Sequence, residues 1–236
     1  MAMQSIQFIG IELAAGRKAG AMMVLDENQN IQAQGRGDLT SVLAYAAGVG
    51  SAMIAVNAPA QLSQGGQARA VEKALLDQGA WIYQTPASMD ACPNSLRRGL
   101  ELHRRLANLG YIGFPAGDAQ RQMLEAPAEA AYWSLLEVRP FEAHTLEGRL
   151  QRQLALADCG VKVPDAMDFF EEITRHRLLH GMLPLDNIFT ADELTALICA
   201  HVAWRAAHQP ENLRWLGEPG EGQIAPPLPV QQLRNC

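Results

Sequence analysis

The N-terminal part of the chain constrains the fold most strongly, because its apolar runs are short and turn-forming residues separate them. Runs rich in Ile, Val, Phe and Met predict strands near 6–14, 20–26 and 30–35. The segments between them, AAGRK and DENQN, carry the Gly, Asp and Asn that are typical of turns. Three short strands joined in this way predict an antiparallel meander.

A helix and a buried strand follow the meander and determine how the sheet continues. The pattern predicts a helix near 39–48 and a strand over 52–57, which ends before Pro59 because proline cannot donate to a strand ladder. A helix between two strands predicts a right-handed crossover with the strands parallel. We therefore expect strand 52–57 to lie beside strand 6–14.

The remainder of the chain is predicted to be mostly helical. The apolar stretch AAYWSLLEV interrupts it and is interpreted as another central strand. The predicted class is α/β, with a mixed central sheet that is antiparallel over its first three strands and then parallel, flanked by helices and extended by a mostly helical portion. The predicted helices lie near 66–79, 94–109, 142–158, 165–180 and 190–208.

Length and composition favour one large domain in a reducing compartment. A chain of 236 residues that is 48% hydrophobic can bury one substantial core, so we expect a single domain over 1–226 and a tail over 227–236. The four cysteines form no Cys-x-x-Cys pair, which gives no signal for a zinc site. Without a signal peptide or a long apolar run, we expect a soluble cytoplasmic protein that contacts no membrane. The sequence carries no signal for an oligomeric state.

Glu12 is the most unusual residue of the first strand, because it stands in an otherwise apolar run. A buried carboxylate costs several kcal/mol unless a partner compensates its charge. One candidate partner is a metal ion. The other is Arg17 or Lys18, which follow in the hairpin turn.

Three further polar residues stand where apolar residues are expected. Asn57 ends the strand MIAVN, Glu137 ends the interpreted strand YWSLLE, and Asp192 opens the last long helix. Together with Glu12, they predict a site for two divalent cations about 4 Å apart, which need convergent oxygen ligands from rigid elements. Each also has a structural interpretation, namely a turn residue, a solvated strand end and a carboxylate favoured by the helix dipole. Glu193 is assigned to a capping box with Thr190.

Several segments, in order along the chain, resemble the family called domain of unknown function 429. These segments are FIGIELA, RKAG, MIAVNAP, GGQARAVEKALLDQG, EVRP, ADELTALICAHVAW and LGEPGEGQIAPP. Members of that family are regarded as predicted nucleases of the ribonuclease H-like fold. The resemblance implies acids on the first strand, on the fourth strand, in an E-x-x-P-like stretch and at the start of the last long helix. Glu137 and Pro140 match the E-x-x-P-like stretch.

The chain departs from the family pattern at two charged positions. Glu12 replaces the aspartate of the first strand and keeps its charge, whereas Asn57 replaces an aspartate with a neutral amide. In the last helix Asp192 matches the first acid, but Thr195 occupies the position of the second. With two charges missing, the electrostatic attraction for two metals is weaker.

The resemblance and the acidic residues predict a metal-dependent nuclease or phosphodiesterase. Glu12, Glu137 and Asp192 would hold Mg²⁺ or Mn²⁺, Asn57 would be a neutral ligand, and Arg17 or Lys18 would steady the phosphate of a nucleic acid. The net charge of −6 means that nucleic acid would need a local basic patch or bound cations. The alternative is a ribonuclease H-like domain that has lost catalysis and serves as a binding or regulatory module.

Overall fold

One mixed sheet organises the molecule. The computed structural model describes residues 5–13, 19–66, 68–217 and 222–229. Within these residues the sheet has six strands. The strands are β1 (Gln7–Glu12), β2 (Gly20–Leu25), β3 (Ile31–Gly37), β4 (Ala52–Val56), β5 (Ile112–Gly113) and β6 (Arg121–Glu125), and they lie in the order β3-β2-β1-β4-β6-β5.

The predicted meander and crossover are confirmed. Strand β1 pairs antiparallel with β2, and β2 pairs antiparallel with β3. Helix α1 (Leu39–Gly48) begins after Asp38, whose side chain accepts the Ser41 N–H at 2.9 Å. It leads into β4, which pairs parallel with β1. Turn residues and the order of helix and strand therefore indicated this part of the fold correctly.

The interpretation of AAYWSLLEV as a strand is wrong. This stretch lies in helix α4 (Ala128–Leu136), which begins directly after Pro127. The helix is buried on most sides, so its sequence is continuously apolar and its periodicity does not distinguish it from a buried strand. The central strand that follows β4 in the parallel part of the sheet is β6, which the sequence did not reveal because Arg121 and Gln122 make it polar.

The helices predicted near 66–79, 94–109, 142–158 and 190–208 are present. The prediction of a single helix near 165–180 is wrong. That segment forms two short helices, because Ile173 has an extended backbone and Thr174 caps a new turn by accepting the Arg177 N–H. The helices are α2 (Ala70–Asp77), α3 (Asn94–Asn108), α5 (Leu146–Asp158), α6 (Asp168–Glu172), α7 (Arg175–Leu179) and α8 (Ala191–His208), followed by a short 3₁₀ helix (Pro210–Asn212).

Helix α8 is the central helix of the fold and packs across β1, β2 and β4. It approaches β1 so closely that a Cβ added to Gly10 would lie 1.8 Å from the carbonyl oxygen of Ala196. Helices α4 and α5 complete this core, while α1 and α3 cover the opposite face of the sheet. Among the described residues, no helix is both long enough and apolar enough to cross a membrane.

Candidate functional site

Polar side chains stand at the carboxyl ends of three neighbouring strands. Glu12 ends β1, Asn57 directly follows β4, and Glu125 ends β6. The strands are in register, with Ile11 beside Val56 and Val56 beside Glu125. Open α/β sheets bind ligands at this edge, so these residues define the place to look for a site.

Asn57 joins β1 to helix α4 through both ends of its amide group. Its Nδ2 donates to Glu12 Oε2 at 2.5 Å, and its Oδ1 accepts the Ala128 N–H at 2.9 Å. Ala128 is the first residue of α4, so this bond also satisfies one of the free N–H groups of the helix start. The amide oxygen that was predicted to be a neutral metal ligand is therefore already used by the fold.

Glu12 is protonated more readily than an ordinary glutamate. Burial raises its pKa from 4.5 to about 7, the Asn57 amide opposes the rise, and the negative charges of Asp192 and Glu129 add to it. Near pH 7 a large fraction of the Glu12 side chains is therefore protonated.

A cavity of about 470 Å³ opens beside Glu12. This volume lies within the range of sites that hold small molecules. Its walls combine acidic, basic and aromatic side chains from β1, α4, α5, α8 and the segments 79–81 and 139–144. The side chains that define its character are Glu12, Trp81, Glu129, Trp133, Arg139, Phe141, Glu142, His144, Arg152, Asp192 and Thr195.

The other two carboxylates near Glu12 have arginine partners within the fold. Asp192 is bonded to Arg36 of β3 at 2.9 Å. Glu129, in the first turn of α4, is bound by Arg152 through two bonds of 2.8 and 2.9 Å. Sequence reasoning missed Glu129, Arg36 and Arg152, because only the fold brings these distant positions together.

The donor set does not fit the predicted pair of metal ions. Among the described residues, no group of three or more His, Cys, Asp or Glu side chains could hold a metal ion. Glu12 and Asp192 do share the cavity, as predicted, but each carries a hydrogen-bond donor of the protein on a carboxylate oxygen. Thr195 lines the same cavity and adds no charge.

Glu137 does not occupy the predicted strand end. It caps the C-terminus of α4 in the left-handed conformation, with φ at 57°, and is exposed to solvent. It lines a separate pocket beside Arg214 and not the cavity of Glu12 and Asp192. The acid that ends a central strand is Glu125, and Pro127 follows it closely. An acid and a proline after the short apolar pair Met123–Leu124 were the sequence signal for this position.

Glu125 belongs to a buried ionic network that turns away from the cavity. Arg69 donates to both carboxylate oxygens of Glu125 and, through Nε, to Glu72 at 2.7 Å. The Tyr83 hydroxyl donates to Glu125 at 2.6 Å, and Thr85 donates to Glu72 through its backbone N–H at 2.8 Å. Arg69 and Glu72 are fully buried, so the network anchors α2 to the end of β6.

Two of the predicted site residues, Arg17 and Lys18, lie outside the described residues. Their pairing with Glu12 and their contact with a phosphate therefore stay predictions.

The capping box of Thr190 and Glu193 is confirmed, since Thr190 accepts the Glu193 N–H and Glu193 accepts the Thr190 N–H. Glu193 is thus explained by the start of α8, as expected.

The proton on Glu12 gives a pH-dependent prediction. The folded protein holds this proton more tightly than the unfolded chain, so its stabilising contribution is complete below about pH 4.5 and is lost as the pH rises to about 7. The difference between the two pKa values corresponds to about 3 kcal/mol. We expect Glu12→Gln to raise the free energy of unfolding by up to this amount above pH 7. Near pH 4.5 the free energy of unfolding of the variant should be close to that of the parent.

Urea unfolding at the two pH values measures this effect, and the exposed Glu27→Gln is the matched control. Gln keeps an oxygen that can accept from Asn57, so the variant removes only the ionisation of residue 12. A loss of stability in Glu12→Gln above pH 7 would contradict the account, because it would mean that the carboxylate is charged and paired.

The family model described as protein of unknown function (DUF429) matches residues 10–221 of the chain. The match spans the residues of the site described above, from Glu12 to Asp192. No curated protein matches the chain. No solved structure matches it either.

Proposed function

The chain belongs to the family described as protein of unknown function (DUF429), and we propose that it is a ribonuclease H-like binding module that holds its ligand without a pair of metal ions. The observation that carries the proposal is the compensation of Glu12 and of the two carboxylates that act on it, Glu129 and Asp192. Asn57 donates to Glu12, Arg152 to Glu129 and Arg36 to Asp192. A two-metal centre needs these oxygens free and charged.

The cavity supplies the binding surface of this module. It lies at the carboxyl edge of the sheet and combines charged side chains of both signs with aromatic rings. Metal-dependent hydrolysis would need a cluster of carboxylate or imidazole ligands, and the described residues form no such group of three or more. Binding is therefore the function that the geometry supports best.

A metal-dependent nuclease is the second candidate, and one observation favours it. Burial raises the pKa of Glu12 most, and the negative charges of Asp192 and Glu129 raise it further. A negative potential of this kind attracts a divalent cation, here Mg²⁺ or Mn²⁺, and the nucleic acid would then be the substrate. Both candidates predict a ligand at the same cavity, so metal affinity and cleavage separate them.

Asn57→Asp tests this choice, because it restores the charge that the family pattern has at this position. The new carboxylate faces Glu12 Oε2, where the parent has an N–H donor. We expect a lower thermal midpoint at about pH 8 and a smaller decrease at about pH 5, where the two acids share a proton. We also expect weak Mn²⁺ binding in the parent, tighter Mn²⁺ binding in the variant, and no cleavage of DNA or RNA by either protein.

Calorimetric Mn²⁺ titration, thermal unfolding and cleavage of single- and double-stranded substrates measure these outcomes. The exposed Asn187→Asp adds the same charge away from the cavity and serves as the control. Rapid cleavage by the parent protein with Mg²⁺, together with tight metal binding, would overturn the binding module and establish the nuclease.

A further inference from the structure

We infer that the ligand of the cavity is a small zwitterion, a molecule with one cationic group, one anionic group and an aromatic or apolar body. This inference rests on the proposed binding function and deepens it. It follows from the position of the charges that the fold leaves uncommitted, and from the rings that line the cavity. Each feature matches one part of such a ligand.

The acidic side of the cavity offers a place for a cation. Glu12 comes from β1 and Asp192 from α8, which pack against each other. The Oε2 atom of Glu12 accepts from Asn57, whereas Oε1 accepts no hydrogen bond from the described residues. An ammonium group has three donors and would bind this free oxygen through a charge-assisted hydrogen bond.

The basic side of the cavity comes from a different part of the chain. The segment between α4 and α5 brings one acid, Glu142, to the cavity, and its basic side chains there are Arg139 and His144, both of which are exposed. Within the described parts of the chain, neither side chain forms a hydrogen bond or ion pair. Arg152 also lines the cavity and is 1% exposed; Glu129 compensates its charge, but its Nε has no acceptor among the described residues. These groups match the carboxylate of a ligand, which accepts several N–H bonds.

Aromatic rings provide the surface for the body of the ligand. Trp81 is 66% exposed and Phe141 is 57% exposed, although both are large apolar side chains. Trp133 of α4 lines the cavity with them. Exposed aromatic side chains that line one cavity are typical of binding surfaces, and a volume of about 470 Å³ accommodates a molecule of amino-acid size.

A ligand with a single charge would leave one side of the cavity uncompensated. A cation alone satisfies Glu12 and leaves the buried Nε of Arg152 without an acceptor, while an anion alone leaves Oε1 of Glu12 without a donor. A buried polar group that binding leaves unpaired loses its contact with water and weakens the complex. A zwitterion satisfies both sides at once.

Three probes with the same phenyl body test the inference. L-phenylalanine carries both charges, 2-phenylethylamine carries only the cation, and 3-phenylpropionate carries only the anion. In metal-free buffer with a chelator, we expect L-phenylalanine to bind at least about tenfold tighter than either analogue by calorimetry. Binding of an ammonium group beside Glu12 should also release protons near pH 7, which makes the measured enthalpy depend on the buffer.

Two variants assign the charges to the two sides. Glu12→Gln should weaken the binding of L-phenylalanine and 2-phenylethylamine but not that of 3-phenylpropionate. Arg139→Ala should weaken the binding of L-phenylalanine and 3-phenylpropionate but not that of 2-phenylethylamine. The exposed Arg104→Ala on α3 is the control and should change none of the three.

Equal affinity for the three probes, or the absence of binding by all of them at millimolar concentration, would overturn the zwitterion. Neither result decides the proposed function, because that proposal fails on a different observation, namely tight metal binding with cleavage of nucleic acid. The two failures are therefore distinguishable.

Discussion

Gly10→Ala is expected to destabilise the protein by about 3 kcal/mol or more, which is a large part of the total stability of an ordinary domain. The added Cβ would lie 1.8 Å from the carbonyl oxygen of Ala196 and 2.4 Å from the amide nitrogen of Ala200. Both atoms belong to the backbone of α8, so no side-chain rotation relieves the clash. The helix must move away from β1, and the core between them loses its packing.

Urea unfolding of Gly10→Ala and Gly35→Ala measures this effect. Gly35 lies in β3, and the Cβ of an alanine there would meet only the Met22 Cε at 3.7 Å, an ordinary contact. We expect Gly35→Ala to remain close to the parent in stability. If Gly10→Ala matched it, the close approach of α8 to β1 would be wrong, and with it the placement of Asp192 beside Glu12.

Arg69→Met is expected to cost about 3–5 kcal/mol or more, because it leaves two buried carboxylates without a cation. Arg69 and Glu72 have no exposed side-chain surface, and the side chain of Glu125 is only 2% exposed. Burial alone would lower the pKa of Arg69, but the bond to Glu125 raises it, so the guanidinium stays charged. Its loss removes the bonds that hold α2 against the end of β6.

The loss of stability in Arg69→Met depends on the buried carboxylates that remain charged, and further variants test this dependence. Arg69→Met combined with Glu72→Gln and Glu125→Gln should be more stable than Arg69→Met alone, since no buried charge is left unpaired. The exposed pair of Arg177 and Glu172 offers a control, because Arg177→Met should change stability by less than about 1 kcal/mol. A small effect of Arg69→Met in thermal unfolding would contradict the buried network.

The sequence indicated the meander, α1 and β4 because their signals are local. Turn residues separate the strands, and a short apolar run before Pro59 marks β4. The α4 segment was misinterpreted because a helix buried on most sides has no polar face to reveal its period. Strand β6 was missed because Gln122, although buried, is polar and bonds to the backbone of Ala116 and Ala119.

The candidate site was predicted in part for the same reason. The unusual position of Glu12 and the interruption at Asn57 are visible in the sequence, and the structure joins the two residues by a hydrogen bond. Their compensation is not visible, because it depends on contacts between distant segments. Arg36 reaches Asp192, 156 positions further along the chain, and only the crossing of α8 over the sheet brings them together.

The pKa of Glu12, measured by carbon-13 NMR of its carboxyl group with and without Mg²⁺, tests the central claim most directly. Glu12→Gln assigns the signal by its disappearance. The account predicts a pKa near 7 that Mg²⁺ leaves almost unchanged, because the proposed binding module holds its ligand without a pair of metal ions. A pKa that falls below 4.5 when Mg²⁺ is added would contradict it, since only a cation seated against Glu12 has that effect.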